Sequence, residues 1–235
     1  STTPSTATTG PTETVAPETT LTITHTATPA LTETPSPTLS ATRPPSPIAF
    51  QGVTDRRASA GTFHVLGEVV NGSGQAIEFV EVTGSFYDAG GELVEKEFTY
   101  ALLEVMDPGE TAPFELVLME PASGIDHYEL EALYDPTLVQ PVRVDVVSQD
   151  ASWSTEGTYD IVGEVRNPHD MDLEYVQIVA TCYDRAGGVV GADFSFVESD
   201  VMEPGQSEPF EITIAGSPGN LERCDLKTLA VEGEP

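Results

Sequence analysis

The chain has 235 residues, 39% of them hydrophobic, which is enough apolar material for one large core or two small ones. It carries 39 acidic against 9 basic residues, a net charge of −30, and its only lysines are Lys96 and Lys227. Such a surface repels phosphate backbones and anionic headgroups, so neither nucleic acid nor anionic lipid is an expected partner. No run of eighteen apolar residues is present, and direct membrane insertion is not expected. Nor does a cationic stretch followed by an apolar core stand at the N-terminus, so in a secreted protein Ser1 would be a processed end.

Residues 1–47 read as an extended low-complexity tail. Thr, Ser and Pro fill 31 of these 47 positions, a mixture that cannot bury enough apolar surface to offset chain entropy. In a secreted protein this composition reads as an O-glycosylated stalk. Within it, "TTLTITHTAT" alternates at period two, which is how a half-buried strand is written. Leu21 and Ile23 fall on one parity, and Thr20, Thr22, Thr24 and Thr26 on the other. One reading is chance alternation in a stalk. The other is a donated strand, with Leu21 and Ile23 filling pockets on another subunit and the four threonines facing outward as glycosylation candidates.

Beyond the tail the sequence repeats at an offset of 96 without a gap. "TFHVLGEVVN" (62–71) matches "TYDIVGEVRN" (158–167), and "VMDPGETAPFEL" (105–116) matches "VMEPGQSEPFEI" (201–212). Two tandem domains follow, 48–141 and 142–235. Each reads as short strands punctuated by turns. Ile48 and Phe50 open the first, opposite Val144 and Val146 in the second. Phe63, Val65, Gly67 and Val69 then alternate with His64, Leu66, Glu68 and Val70. Phe79, Val80 and Val82 lead to Phe86 before a turn at Ala89-Gly90-Gly91, and Pro108-Gly109 suits a tight turn before "TAPFELVL". No segment shows a capped 3.6 period. Six or seven strands in about 95 residues predict an all-β fold, two immunoglobulin-like antiparallel β-sandwiches in tandem.

The repeat also bears on the two cysteines. Cys182 aligns with Phe86 and Cys224 with Tyr128, so a Phe/Tyr pair in one copy is a Cys/Cys pair in the other. A joint change suggests that the two positions touch. It predicts a Cys182–Cys224 disulfide worth ~3–4 kcal/mol in the chain-entropy model, the alternative being two free buried thiols. A disulfide would place the protein in an oxidising compartment.

The stretches "GEVVN…VEVTGSFYD…MDPGETAPFEL" and "GEVRN…VQIVATCYD…MEPGQSEPFEI" resemble tandem FxLYD domains, extracellular prokaryotic β-sandwich modules. The resemblance covers about 48–235 and includes the Tyr-Asp pairs Tyr87-Asp88 and Tyr183-Asp184, while Gly84 and Ala180 stand where the family name has Phe. It implies a fold and an extracellular location, and no catalytic activity.

The sequence carries few residues in a catalytic pattern. There is no G-x-S-x-G, H-E-x-x-H or C-x-x-C, and the four histidines His25, His64, His127 and His169 are dispersed and unrepeated. In "NPHDMDLEY", Asp170, Asp172 and Glu174 alternate and form a weak Ca²⁺ candidate, although the first copy has Gly74, Ala76 and Glu78 there. A solvated loop and strand edge is the reading favoured for them. Asp88 and Asp184 are expected to cap the turns that follow them, and Asn71-Gly72-Ser73 is formally an N-glycosylation acceptor or simply an Asn-Gly turn.

The sequence therefore predicts a non-catalytic extracellular or cell-surface structural protein without cofactors. Its expected partners are other copies of itself in a glycosylated filament, joined by the tail, and covalent glycans on that tail. The alternative is a monomeric surface binding or adhesion module on an O-glycosylated spacer.

Overall fold

The computed structural model describes residues 47–58, 61–119, 124–215 and 220–233. They form fourteen strands in four antiparallel sheets, with no helix among the described residues. The first seven are β1 (Ile48–Arg57), β2 (Phe63–Asn71), β3 (Ile77–Tyr87), β4 (Leu93–Tyr100), β5 (Val105–Met106), β6 (Thr111–Leu118) and β7 (His127–Pro136). The second seven are β8 (Asp145–Trp153), β9 (Tyr159–Arg166), β10 (Leu173–Asp184), β11 (Val189–Phe196), β12 (Val201–Met202), β13 (Ser207–Ile214) and β14 (Leu221–Glu232).

Each half is a sandwich of a three-stranded sheet on a four-stranded one. In the first, β1-β2-β6 faces a sheet centred on β3, which pairs with β4, β5 and β7. In the second, β8-β9-β13 faces a sheet centred on β10, which pairs with β11, β12 and β14. Alternation puts Val65, Val69, Phe86, Phe114 and Leu116 into the first core, and Ile161, Val165, Ile178, Phe210 and Ile212 into the second. The glycine of each "GEV" is a packing requirement. A Cβ at Gly67 would lie 2.9 Å from the Phe114 ring, and one at Gly163 would lie 2.6 Å from the Phe210 ring.

Turn chemistry follows the expected residues. Asp88 Oδ1 accepts from the backbone N–H of Gly90 and Glu92, and Asp184 Oδ1 accepts from those of Ala186 and Gly188. Gly109 has φ of 81° in the turn closed by the Glu110 N–H to Asp107 carbonyl bond, as type II geometry after proline demands. Phe86 and Tyr128 are cross-strand partners, and so are Cys182 and Cys224, which form a disulfide across 42 residues.

The two sandwiches are parts of one compact unit, Pro44–Pro235. The outer face of β10, β11 and β14 lies on the outer face of β1, β2 and β6, with β11 against all three strands of that sheet. Strict in–out alternation therefore fails in β2 and β10. Leu66 and Glu68 point away from the first core, yet they are 0% and 2% exposed because the second sandwich covers them. Gln177, Val179, Thr181 and Tyr183 are buried for the same reason.

Candidate functional site

The best-formed polar site among the described residues lies between the two sandwiches. Gln51, Glu68 and Thr111 enter it from one side, and Tyr183, Arg223 and Lys227 from the other, around a cavity of about 460 Å³. Glu68 is its hub: one carboxylate oxygen accepts from Thr111 Oγ1 at 2.7 Å, and the other accepts from Gln51 Nε2 at 2.9 Å. Lys227 Nζ stands 3.8 Å from Glu68 and donates to the carbonyl and hydroxyl oxygens of Thr111. Burial pushes the Lys227 ammonium below its ordinary pKa, against the pull of Glu68 and Glu110. Burial raises the Tyr183 phenol well above its usual range, with the Glu68 charge adding to it, and the Arg223 guanidinium sits 4.1 Å over its ring.

Around this hub the contact is closed by complementary groups. Leu66, Tyr183 and Val189 form a small apolar cluster of their own, while Val179 and Leu229 join the core of the first sandwich. Gln177 Nε2 donates to the Leu102 carbonyl at 3.0 Å, and Thr54 Oγ1 donates to the Val189 carbonyl. Arg143, between β7 and β8, donates to Glu110 at 2.6 Å and to the Thr228 carbonyl at 2.6 Å. Every charged group here has an internal partner, so the chemistry is that of a joint.

A second site is an open one. Among the described residues β8 pairs only with β9, and all nine residues of β8 are exposed. Beside that edge a lateral groove of about 570 Å³ runs towards β14, lined by Val146 to Gln149 on one side and by Cys224, Asp225 and Leu226 on the other. The repeat-equivalent β1 is screened at the same place, because Gly52 packs against Gly187 and Val189 of the second sandwich.

A third feature repeats. Phe79 and Tyr175 are equivalent residues in the left-handed region, with φ of 50° and 51°, each at the irregularity of its central strand. Bulky residues rarely adopt this conformation. Both rings project into solvent, 52% and 72% exposed. Exposed edge-to-face pairs also repeat, Phe98 with Tyr100 and Phe194 with Phe196.

Of the residues singled out in the sequence, Cys182 and Cys224 are bonded. Leu21, Ile23, Thr20, Thr22, Thr24, Thr26 and His25 lie outside the described residues. Asp170 and Asp172 sit in the loop before β10 and Glu174 on β10 itself, and no group of three or more metal-ligating side chains is assembled among the described residues. The Ca²⁺ candidate is thus not brought together: two of its carboxylates stand in the loop and only Glu174 on the strand. His64 bonds Glu115 at 2.7 Å and His169 bonds the Arg143 carbonyl at 2.9 Å, while His127 stacks on Tyr87. Asn71 is fully buried with its amide nitrogen committed to the carbonyls of Gln75, Met106 and Asp107, which leaves no room for a glycan. The joint was missed in the sequence, although a signal was there: one of the chain's two lysines, Lys227, stands where the first repeat has Glu131.

No family model matches the chain, and no curated protein matches it. Among solved structures it is similar to a red sea bream transglutaminase, at TM-score 0.25 and 10% identity over 80% of this chain and 31% of that one. It is also similar to a β-glucuronidase of glycoside hydrolase family 2, at TM-score 0.25 and 14% identity, covering 67% of this chain and 20% of the enzyme. A third is the C-terminal globular domain of an oligosaccharyltransferase from Pyrococcus abyssi, at TM-score 0.23 and 10% identity over 80% and 50% of the two chains. The chain thus spans half or less of each. What stands from the fold itself is the class: a disulfide-bonded all-β protein of two tandem immunoglobulin-like sandwiches, in which no described helix could cross a membrane.

Proposed function

We propose that this chain is a non-catalytic extracellular structural protein, the subunit of a glycosylated cell-surface filament. In it, residues 20–27 of one copy add as a strand to the free edge of β8 in another. The observation that carries this reading is the β8 edge, which no strand among the described residues pairs over nine exposed residues, and which is bordered by a groove of about 570 Å³. An edge of this kind offers a row of free main-chain donors and acceptors, and a donated strand satisfies them while joining two molecules. Leu21 and Ile23 would enter the groove beside Val146 and Val147, and burying them would contribute ~3–6 kcal/mol. The tail has reach: at ~3.1 Å per residue its 47 positions span roughly 145 Å when extended. A head-to-tail contact of this sort does not close, so it builds a fibre. The disulfide and the resemblance to FxLYD modules support an extracellular place for it.

The repeated exposed aromatics favour a second reading, a monomeric stalked module that binds through the rings of Phe79 and Tyr175. Electron microscopy of the full chain separates the two. Filaments are expected for the parent, tightening as salt screens the net charge, and none for the Leu21→Asp/Ile23→Asp variant with both sandwiches still folded. Filaments that persist in that variant, or after removal of residues 1–40, would show that the tail strand is not the joint. An intact mass no greater than the 25.0 kDa polypeptide would remove the glycan coat.

A further inference from the structure

The contact between the sandwiches is heterologous: the β10-β11-β14 face of the second meets the β1-β2-β6 face of the first. Because the sandwiches are repeats, each has a face of both kinds. No strand among the described residues covers the β3-β4-β7 face of the first or the β8-β9-β13 face of the second. A contact between unlike faces ordinarily propagates into an open stack. Part of the apolar patch is even present on the free faces, since Leu66 corresponds to Val162, Tyr183 to Tyr87 and Val189 to Leu93. Val162 and Leu93 are 43% and 53% exposed.

We infer that the stack is nonetheless made once per chain, because the groups that close it are replaced on both free faces. Lys227, which holds Thr111 and faces Glu68, corresponds to Glu131, while Glu68 corresponds to Glu164. A second copy in the same pose would bring two carboxylates together in place of an ammonium and a carboxylate. Gln177, which donates to the Leu102 carbonyl, corresponds to Glu81, which when ionised has no proton to donate. Thr54, which donates to the Val189 carbonyl, corresponds to Asp150, with the same defect.

Backbone geometry agrees with the side chains. Gly52 has φ of 58°, and a Cβ there would lie 2.9 Å from the Gly187 carbonyl, so the close approach requires glycine. Its counterpart is Ser148. The irregularity of β1 lies between Gln51 and Thr54, whereas that of β8 lies between Val146 and Ser148, so the two edge strands break register at non-equivalent positions. Each replacement removes a donor, adds a like charge or blocks an approach. Together they leave the internal contact intact and deny it to another copy.

The test uses a chain beginning at Pro44, which retains every described strand and is therefore independent of the tail-strand reading. Sedimentation should give the mass of one chain. Four substitutions that restore the internal pattern, Glu131→Lys, Glu81→Gln, Asp150→Thr and Ser148→Gly, should shift it to multiples of that mass. A charge-matched control, Asp126→Asn/Glu156→Gln/Asp200→Asn/Glu203→Gln, should remain single. Multimers of the unsubstituted chain, a restored variant that folds yet stays single, or a control that associates as strongly would each overturn the inference. The reciprocal change covers the case of misfolding. Gly52→Ser/Lys227→Glu in the full chain should raise the radius of gyration in X-ray scattering while the strand signal in circular dichroism and the disulfide persist. An unchanged radius would also count against it.

Discussion

Asp193 meets the first sandwich from β11, opposite a Glu115 that already holds His64 at 2.7 Å and Arg56 at 3.1 Å. Burial raises its pKa above the ordinary 3.8, the Phe194 N–H pulls it back, and the Glu115 charge raises it further. A carboxyl raised in the folded state binds its proton more readily there than in the unfolded chain. The stability tied to it is full below the unfolded value of 3.8 and is lost as pH rises through the folded value. Asp193→Asn should therefore match the parent in acid and exceed it at neutral pH, by less than about 1 kcal/mol for this partly exposed group. Thermal unfolding of both proteins across that range checks this, and an Asn variant less stable at neutral pH would contradict it. Composition shows 39 acids but not which of them is starved of water.

Between strands, the device that recurs is a buried asparagine. Asn71 ends β2 and donates to the carbonyls of Gln75, Met106 and Asp107, while its own Oδ1 accepts from the Ser73 N–H. Asn167 repeats this with Met171, Met202 and His169. One side chain thus clasps the loop after the second strand to the short fifth strand, whose two residues could not hold it by ladder bonds alone. Asn71→Ala would remove one donor from each of three carbonyls, of which the Met106 bond is buried and the Gln75 and Asp107 bonds are partly so. At about 1 kcal/mol each it should cost ~2–4 kcal/mol, read as a lower urea midpoint with unchanged slope. The glycine of "GEV" and the Asp caps were legible because their causes are local or repeated. The clasp was hidden inside a formal glycosylation motif, since "NGS" says nothing about burial.

For the whole molecule, charge is the dominant stress. The tail's net −2 subtracted from −30 leaves −28 on the folded unit, with Glu68, Glu110 and Glu115 neutralised only by partners reached through folding. Self-repulsion at this level opposes compaction, and salt screens it over about 10 Å at 0.1 M. The melting temperature should rise with sodium chloride, steeply at first and then flattening as screening saturates. A melting temperature that falls with salt would mean that the ion pairs outweigh the repulsion. The disulfide opposes the same stress from the unfolded side, by holding together two strands 42 residues apart.

The sequence by itself determined the repeat, the all-β class and the turns, and it pointed to Cys182 and Cys224 as neighbours. Each of these follows from a period of two, from turn residues or from a comparison of one copy with the other. Only the tertiary structure decided that the two sandwiches share a face. Outward residues such as Leu66, Glu68 and Lys227 obey the same alternation whether water or another sheet lies beyond them. The covering surface is assembled from strands more than 100 residues away, so nothing near Leu66 records it.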